Sequence, residues 1–260
     1  MGEHQTMTRE LIVPRRFCGP PSSGNGGWTS GALAALVDPD PRARSWPTVR
    51  VALRQPPPLD TPMSVGEEDD ATVATFGGAV VARASVVDVE PVVVEPVSPA
   101  EARAAMASYP GLVSHPFPTC FACGTDRAEG DGLRIFAGPV TEQDGATRIA
   151  AVWRPHPSTG EDFQQTRDEL PRASLPVTWA ALDCIGGWAG DLTERLMVLA
   201  GMTARVDALP VIGEEHVVVG LARGQEGRKT FTASALYDSD GRVVATAEHV
   251  WVAVDPAAFA

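Results

Sequence analysis

Lysine occurs once in the 260 residues, as Lys229, and cysteine only four times. Acidic side chains outnumber basic ones by 33 to 21, for a formal charge of −12. A chain so short of clustered positive charge is not built to neutralise a phosphate backbone, which excludes a general nucleic-acid binder. All but one of the basic residues are arginine, so a phosphorylated small ligand would need a local arginine patch that the sequence does not locate. No apolar run is long enough to cross a bilayer, which excludes a spanning helix. Residues 1–11 lack the basic-then-apolar layout of a secretory leader, and the expected location is cytoplasmic. With 44% hydrophobic and 21% charged residues, the chain can build a substantial core in one large or two small domains.

Four cysteines are too few and too scattered for a disulfide scaffold of this length. Cys120 and Cys123 form a single C-x-x-C with His115 close by in sequence. Two Cys and one His leave a zinc set one ligand short, and no second pair completes it. Nor does a thioredoxin-like βαβ pattern surround the pair. The reading is reduced thiols in a packed turn, with no metal and no cofactor. His156, His216 and His249 show no mutual spacing that suggests a site.

What is present is an internal repeat. Residues 78–87 and 241–250 both run G-x-V-V-A-x-A-x-x-V without a gap. Each follows another β-rich stretch, Ala71–Phe76 and Lys229–Tyr237, so each pair is expected to be a hairpin, the second turning at Asp238–Gly241. Upstream, Thr48–Arg54 and Thr203–Leu209 are strand-like and end near proline. Each follows a small-residue helical stretch, expected at Trp28–Val37 and Val177–Leu199. The order is helix, strand, proline break and long strands, twice over. Residues 1–95 form an N-terminal half, 96–113 a connector and 114–260 a C-terminal half. In the connector Ser98, Pro99 and Glu101 stand at the N-cap, N1 and N3 positions of a short helix. Pro155–Arg172 is a polar loop.

Trp179–Trp188 is apolar nearly all round, which predicts a buried helix. A buried helix wrapped by long antiparallel strands, in two copies, is the α+β double-hotdog arrangement, the two sheets lying side by side as one.

The second half resembles the acyl-CoA thioesterases of the hotdog superfamily, of the phenylacetyl-CoA and 4-hydroxybenzoyl-CoA type. The family's C-F-x-C-G and G-L-x-L stretches stand here as Cys120–Gly124 and Gly132–Ile135. Its central helix begins with His-Gly-Gly and carries an acid nine positions on. Ala180–Trp188 is similar to that acidic segment and sets Asp183 on the acidic position, but nine residues earlier stands Ser174, followed by Leu175 and Pro176. The first half shows the converse. Asn25-Gly26-Gly27 occupies the helix start, with Asn25 in place of His, and nine residues on is Ala34. The resemblance implies one composite site, the glycine amide from one half and the acid from the other.

That site would take an acyl-CoA or related thioester. The Gly26 amide, with Gly27, would polarise the carbonyl, since helix-start N–H groups lack intrahelical partners. Asp183 would attack or activate water, Asn25 would orient the substrate, and Thr203 resembles a family position that holds water. Ser23, Trp28, Trp179 and Cys184 are expected to line the pocket. A lone Asp in an apolar helix favours a functional role, because an unpaired buried carboxylate is costly. A non-catalytic hotdog that binds acyl-CoA or a lipid-like ligand is the alternative, favoured by the missing His. A hydratase fits less well, since neither Asp183 nor Asp38 has a His five residues on. A homo-oligomer is expected from exposed sheet edges or faces.

Overall fold

The computed structural model describes residues 9–37, 46–160, 170–255 and 257. The first eight residues of the leader reading, Asp38, and positions 161–169 of the Pro155–Arg172 loop lie outside the described residues.

Strands β1 (Arg9–Leu11), β2 (Val49–Leu53), β3 (Met63–Glu68), β4 (Ala71–Phe76) and β5 (Ala79–Val86) belong to the first half, with helix α1 (Gly26–Ala34) preceding β2. After helix α2 (Pro99–Ala105) come β6 (Gly138–Gln143) and β7 (Ala146–Trp153). Helix α3 (Leu175–Ala189) then precedes β8 (Met197–Val206), β9 (His216–Glu226), β10 (Lys229–Tyr237) and β11 (Val243–Ala253). The eleven strands among the described residues form one sheet in the order β1-β3-β4-β5-β2-β8-β11-β10-β9-β7-β6. Read outward from the β2–β8 seam, the two halves match strand for strand: β5 with β11, β4 with β10, β3 with β9, β1 with β7. The seam is antiparallel, with Val49 opposite Ala204, Arg50 opposite Thr203, Val51 opposite Met202 and Ala52 opposite Gly201.

Local chemistry explains the hairpins. β4 and β5 are joined by Gly77 and Gly78, both at positive φ (58° and 79°), as a two-residue turn with a right-handed strand twist requires. Between β10 and β11 the Asp238 carboxylate accepts from the amides of Asp240 (3.0 Å) and Arg242 (2.9 Å), while Gly241 turns at φ 75°. The connector helix α2 is capped by Ser98, whose hydroxyl accepts from the Glu101 amide at 3.1 Å, and Pro99 opens it.

Both central helices are buried against the sheet. In α3 every residue but Pro176 is buried, so burial of its Leu, Ile, Val and Trp side chains contributes about 1.5–3 kcal/mol each. The helix is shorter than the sequence suggested. It stops at Ala189, where the Gly190 amide closes onto the Gly186, Gly187 and Trp188 carbonyls and Asp191 takes φ 66°. Met197–Leu199 therefore belongs to β8, and Thr203 lies well inside that strand rather than at its start. Helix α1 starts two residues earlier than expected, because Asn25 caps it.

The two helices touch each other closely. A Cβ added to Gly27 would lie 2.4 Å from Asp183 Cβ, and one added to Gly31 would lie 2.7 Å from Trp179 Cβ. Glycines one turn apart thus leave room for α3 to press its Asp183 against the first turn of α1.

Candidate active site

Asn25 ends its extended approach at φ −60°, ψ 131°, and its Oδ1 accepts from the Trp28 amide at 2.8 Å. With the third amide of the helix thus capped, the second is free to reach α3. The Gly27 amide donates to Asp183 Oδ2 at 2.8 Å, and Asn25 Nδ2 donates to the same oxygen at 2.9 Å. The other carboxylate oxygen, Oδ1, is buried with no hydrogen-bond partner among the described residues. Asp183 is only 2% exposed. Burial pushes its pKa up to about 7, although the Gly27 amide and Asn25 pull the other way. The Gly26 amide, first of the helix, has no hydrogen-bond partner among the described residues. Such a first-turn N–H carries the partial positive charge of the helix N-terminus.

This constellation opens on a cavity of about 270 Å³. Leu53, Pro57, Phe117, Leu192, Met197, Leu199 and Trp251 give it an apolar wall, and Ser23, Gly26, Asn25, Asp183 and Cys184 line it too. Exposed Arg54 also lines it, beside Gln55.

Of the residues named from sequence, Asn25, Gly26, Gly27, Asp183, Ser23 and Cys184 come together. Three others stand elsewhere. Thr203 sits at the β2–β8 seam, where its hydroxyl accepts from Arg50 Nε at 3.3 Å, and it does not line the cavity. Trp28 turns away to stack on Phe17 with ring centroids 4.3 Å apart. Trp179 packs beside Gly31 and lines a different, 40 Å³ cavity with Leu175 and Ala34. An all-round apolar helix gives no phase by which sequence could tell these indoles from pocket residues.

Cys120, Cys123 and His115, expected from sequence only as a packed turn, all line the cavity. The thiols of Cys120, Cys123 and Cys184 lie within 4.8 Å of one another, with Cys120 and Cys184 sulfurs 3.5 Å apart. The third thiol that ligand counting lacked comes from α3. The C-x-x-C pair together with a Cys adjoining the predicted acid was the available signal. Hydrogen bonds from Cys123 and Cys184 pull the Cys120 thiol well below its ordinary pKa. Burial pushes Cys123 up, and donation to Cys120 pushes Cys184 up. His115 is fixed in one neutral tautomer: Nδ1 accepts from the Phe117 amide at 3.0 Å, so Nε2 donates to the Cys123 carbonyl at 3.0 Å. Burial holds its pKa down.

No protein-family model matches the chain, and no curated protein matches it in sequence. Solved structures do match in shape. A TesB protein of Mycobacterium avium subspecies paratuberculosis is 12% identical with a TM-score of 0.57, covering 91% of this chain and 90% of its own. An acyl-CoA thioesterase II, TesB2, of Mycobacterium marinum is 10% identical with a TM-score of 0.57, covering 95% and 92%. A conserved protein of unknown function with a hot dog fold from Alicyclobacillus acidocaldarius is 14% identical with a TM-score of 0.56, covering 95% and 93%. At such identities the likeness is one of architecture. This chain has the double-hotdog fold, and shares it over more than nine-tenths of its length with TesB-type thioesterases.

Proposed function

We propose that the chain hydrolyses an acyl-CoA or related thioester in the cavity between α1 and α3. The observation that carries this reading is that Gly26, whose helix-start amide has no partner among the described residues, and Asp183, a buried carboxylate with one oxygen likewise unpartnered, line the same apolar cavity. The thioester carbonyl oxygen would sit against the Gly26 amide, whose donor is preorganised for the charge that develops there. Asp183 Oδ1 takes a proton from water as the water oxygen bonds to the carbonyl carbon. The tetrahedral intermediate then collapses, the C–S bond breaks, and the thiolate leaves with the electron pair. A thiol with a pKa of about 8.5 is a competent leaving group, so no strong general acid is required.

Gly27 is not a second oxyanion donor in this arrangement. Its amide and Asn25 instead hold Asp183 Oδ2, aiming Oδ1 at the substrate. Asn25 is therefore a positioning residue. Arg54 offers the cavity a cationic partner for the phosphates of a coenzyme A moiety.

A second reading, a binder of acyl-CoA or a lipid-like ligand without turnover, draws on the same hydrogen bonds: two donors already neutralise half of the carboxylate. Thiol release from short, long and aromatic acyl-CoAs separates the two, with Asp183→Asn beside the wild type. Turnover that is lost in the variant supports the hydrolase. Thermal stabilisation by acyl-CoA without thiol release from any substrate overturns it in favour of the binder.

A further inference from the structure

We infer that Cys120, Cys123 and Cys184 form the ligand set of one thiophilic metal ion, zinc by preference, whose fourth position opens on the cavity. This inference is independent of the proposed hydrolysis. Three sulfurs within 4.8 Å of one another, one pair at 3.5 Å, match what a tetrahedral centre needs. With zinc–sulfur bonds of about 2.3 Å, its sulfurs stand roughly 3.8 Å apart. The set holds sulfur alone, which selects zinc or a copper(I)-like ion over magnesium or calcium.

The turn that delivers the first two ligands is built for close chain reversal. The Gly124 amide closes onto the Cys120 carbonyl at 2.8 Å, and a Cβ at Gly124 would lie 2.4 Å from the Pro118 carbonyl oxygen. C-x-x-C is the usual zinc spacing for such a turn. The third ligand comes from the buried face of α3.

The surroundings of the sulfurs are donors. Asn25 Nδ2 lies 3.9 Å from Cys120 Sγ and 3.7 Å from Cys184 Sγ. Trp188, itself 5% exposed, has a buried Nε1 with no hydrogen-bond partner among the described residues, and it neighbours the Cys123 thiol. Neutral thiols bring donors of their own and need acceptors, whereas thiolates on a metal accept, so this shell suits the ligated form. His115 is no candidate for the fourth ligand, because both of its ring nitrogens are already bonded. Asp183 is not one of the three convergent ligands. A water from the cavity completes the shell. The metal would then tie the 118–124 turn to α3.

The test uses the reduced, metal-stripped full-length protein. Zinc is titrated in competition with a chromophoric chelator, and cobalt(II) serves as the spectroscopic probe. Expected are one ion per chain and a cobalt spectrum with sulfur-to-metal charge transfer and tetrahedral visible bands. Cys123→Ser should weaken zinc binding by more than about 100-fold, and Trp188→Phe by about 10- to 100-fold. Cys18→Ala should leave it unchanged, since Cys18 lies outside the cluster. Should Cys123→Ser fail to fold, zinc must still slow alkylation of Cys120, Cys123 and Cys184 in the wild type, and not of Cys18. Absence of stoichiometric binding by the folded, reduced protein overturns the inference. So does a cobalt spectrum without sulfur charge transfer, or a Cys120–Cys184 disulfide formed in preference to zinc uptake. None of these readouts depends on turnover.

Discussion

The N-termini of α1 and α3 follow one plan. Asn25 caps the first and Ser174 the second, and in each the threonine four residues on, Thr29 or Thr178, donates its hydroxyl to the cap carbonyl at 2.8 and 3.0 Å. Beyond that shared frame the two ends diverge at every position that chemistry would use. The second residue of α1 is Gly27, whose amide holds a carboxylate; the second of α3 is Pro176, which has no amide hydrogen. Opposite α1 stands Asp183, while its repeat counterpart opposite α3 is Ala34. The cavity is about 270 Å³ at the first end and 40 Å³ at the second. One scaffold thus carries the candidate site at one end and packing at the other: the cap is common to both ends, and the side chains on which the proposed chemistry rests are not.

The largest expected effect tests the live end. Asp183→Asn keeps the shape and an acceptor for Gly27 but removes the base, and thiol release should fall by about 10²- to 10⁴-fold. The second experiment tries to make the ends equal. Ala34→Asp sets a carboxylate opposite an end without a Pro176 amide, and chemical denaturation should show a loss of about 3 kcal/mol for the unpaired buried charge. It should restore no turnover when added to Asp183→Asn; rescue would break the comparison.

The third concerns the sheet rather than the helix ends. His249 of β11 is buried and bonded through Nδ1 to the Thr232 hydroxyl, and burial lowers its pKa to about 4; its repeat counterpart is Val86, 53% exposed. With the folded pKa below the ordinary 6.5, the unfolded chain binds the proton more readily between these values. Its stabilising contribution is therefore full above about pH 6.5 and is lost as the pH falls toward 4, by up to about 3 kcal/mol. Denaturation of wild type and His249→Gln at pH 7 and 4.5 isolates this, because other titrating groups cancel in the difference. A difference that does not change with pH removes His249 as a distinguishing feature of the second half. The smallest effect sharpens the comparison most. Asn25→Ala and Ser174→Ala should each cost about 1 kcal/mol of stability as lost caps. Only Asn25→Ala should also lower turnover, and it should do so through kcat, because Asn25 aims Asp183 rather than holding substrate.

Much of this was legible in sequence, for physical reasons. The G-x-V-V-A-x-A repeat located the equivalent strands β5 and β11, which lie on opposite sides of the seam, because buried sheet faces need small and branched residues at fixed period. The family-like segment Ala180–Trp188 is local and apolar nearly all round, so it was readable as helix, and Asp183 does lie on α3. The distance from α3 to the C-x-x-C turn is tertiary. Cys120 and Cys184 are 64 positions apart, and nothing local joins them. The orientation of Trp28 and Trp179 was hidden for the opposite reason, since helices buried on all sides leave no polar face to set the phase. The end of α3 was marked in sequence by Gly190-Asp191 and the polar residues after it, a stop that the expected Val177–Leu199 helix ran through to the apolar Met197–Leu199.

The β2–β8 seam has a consequence in genetic terms. In a pair of identical chains, an acid gained opposite one helix start is gained opposite both, and so is a proline. Joining the halves into one sheet within one chain gives each position a single address, so Asp183 and Pro176 are inherited once. A saturation screen of this protein should therefore read as two proteins: intolerant at Asn25, Gly27 and Asp183 under selection for function, and at Ser174, Pro176 and Ala34 answering to stability alone.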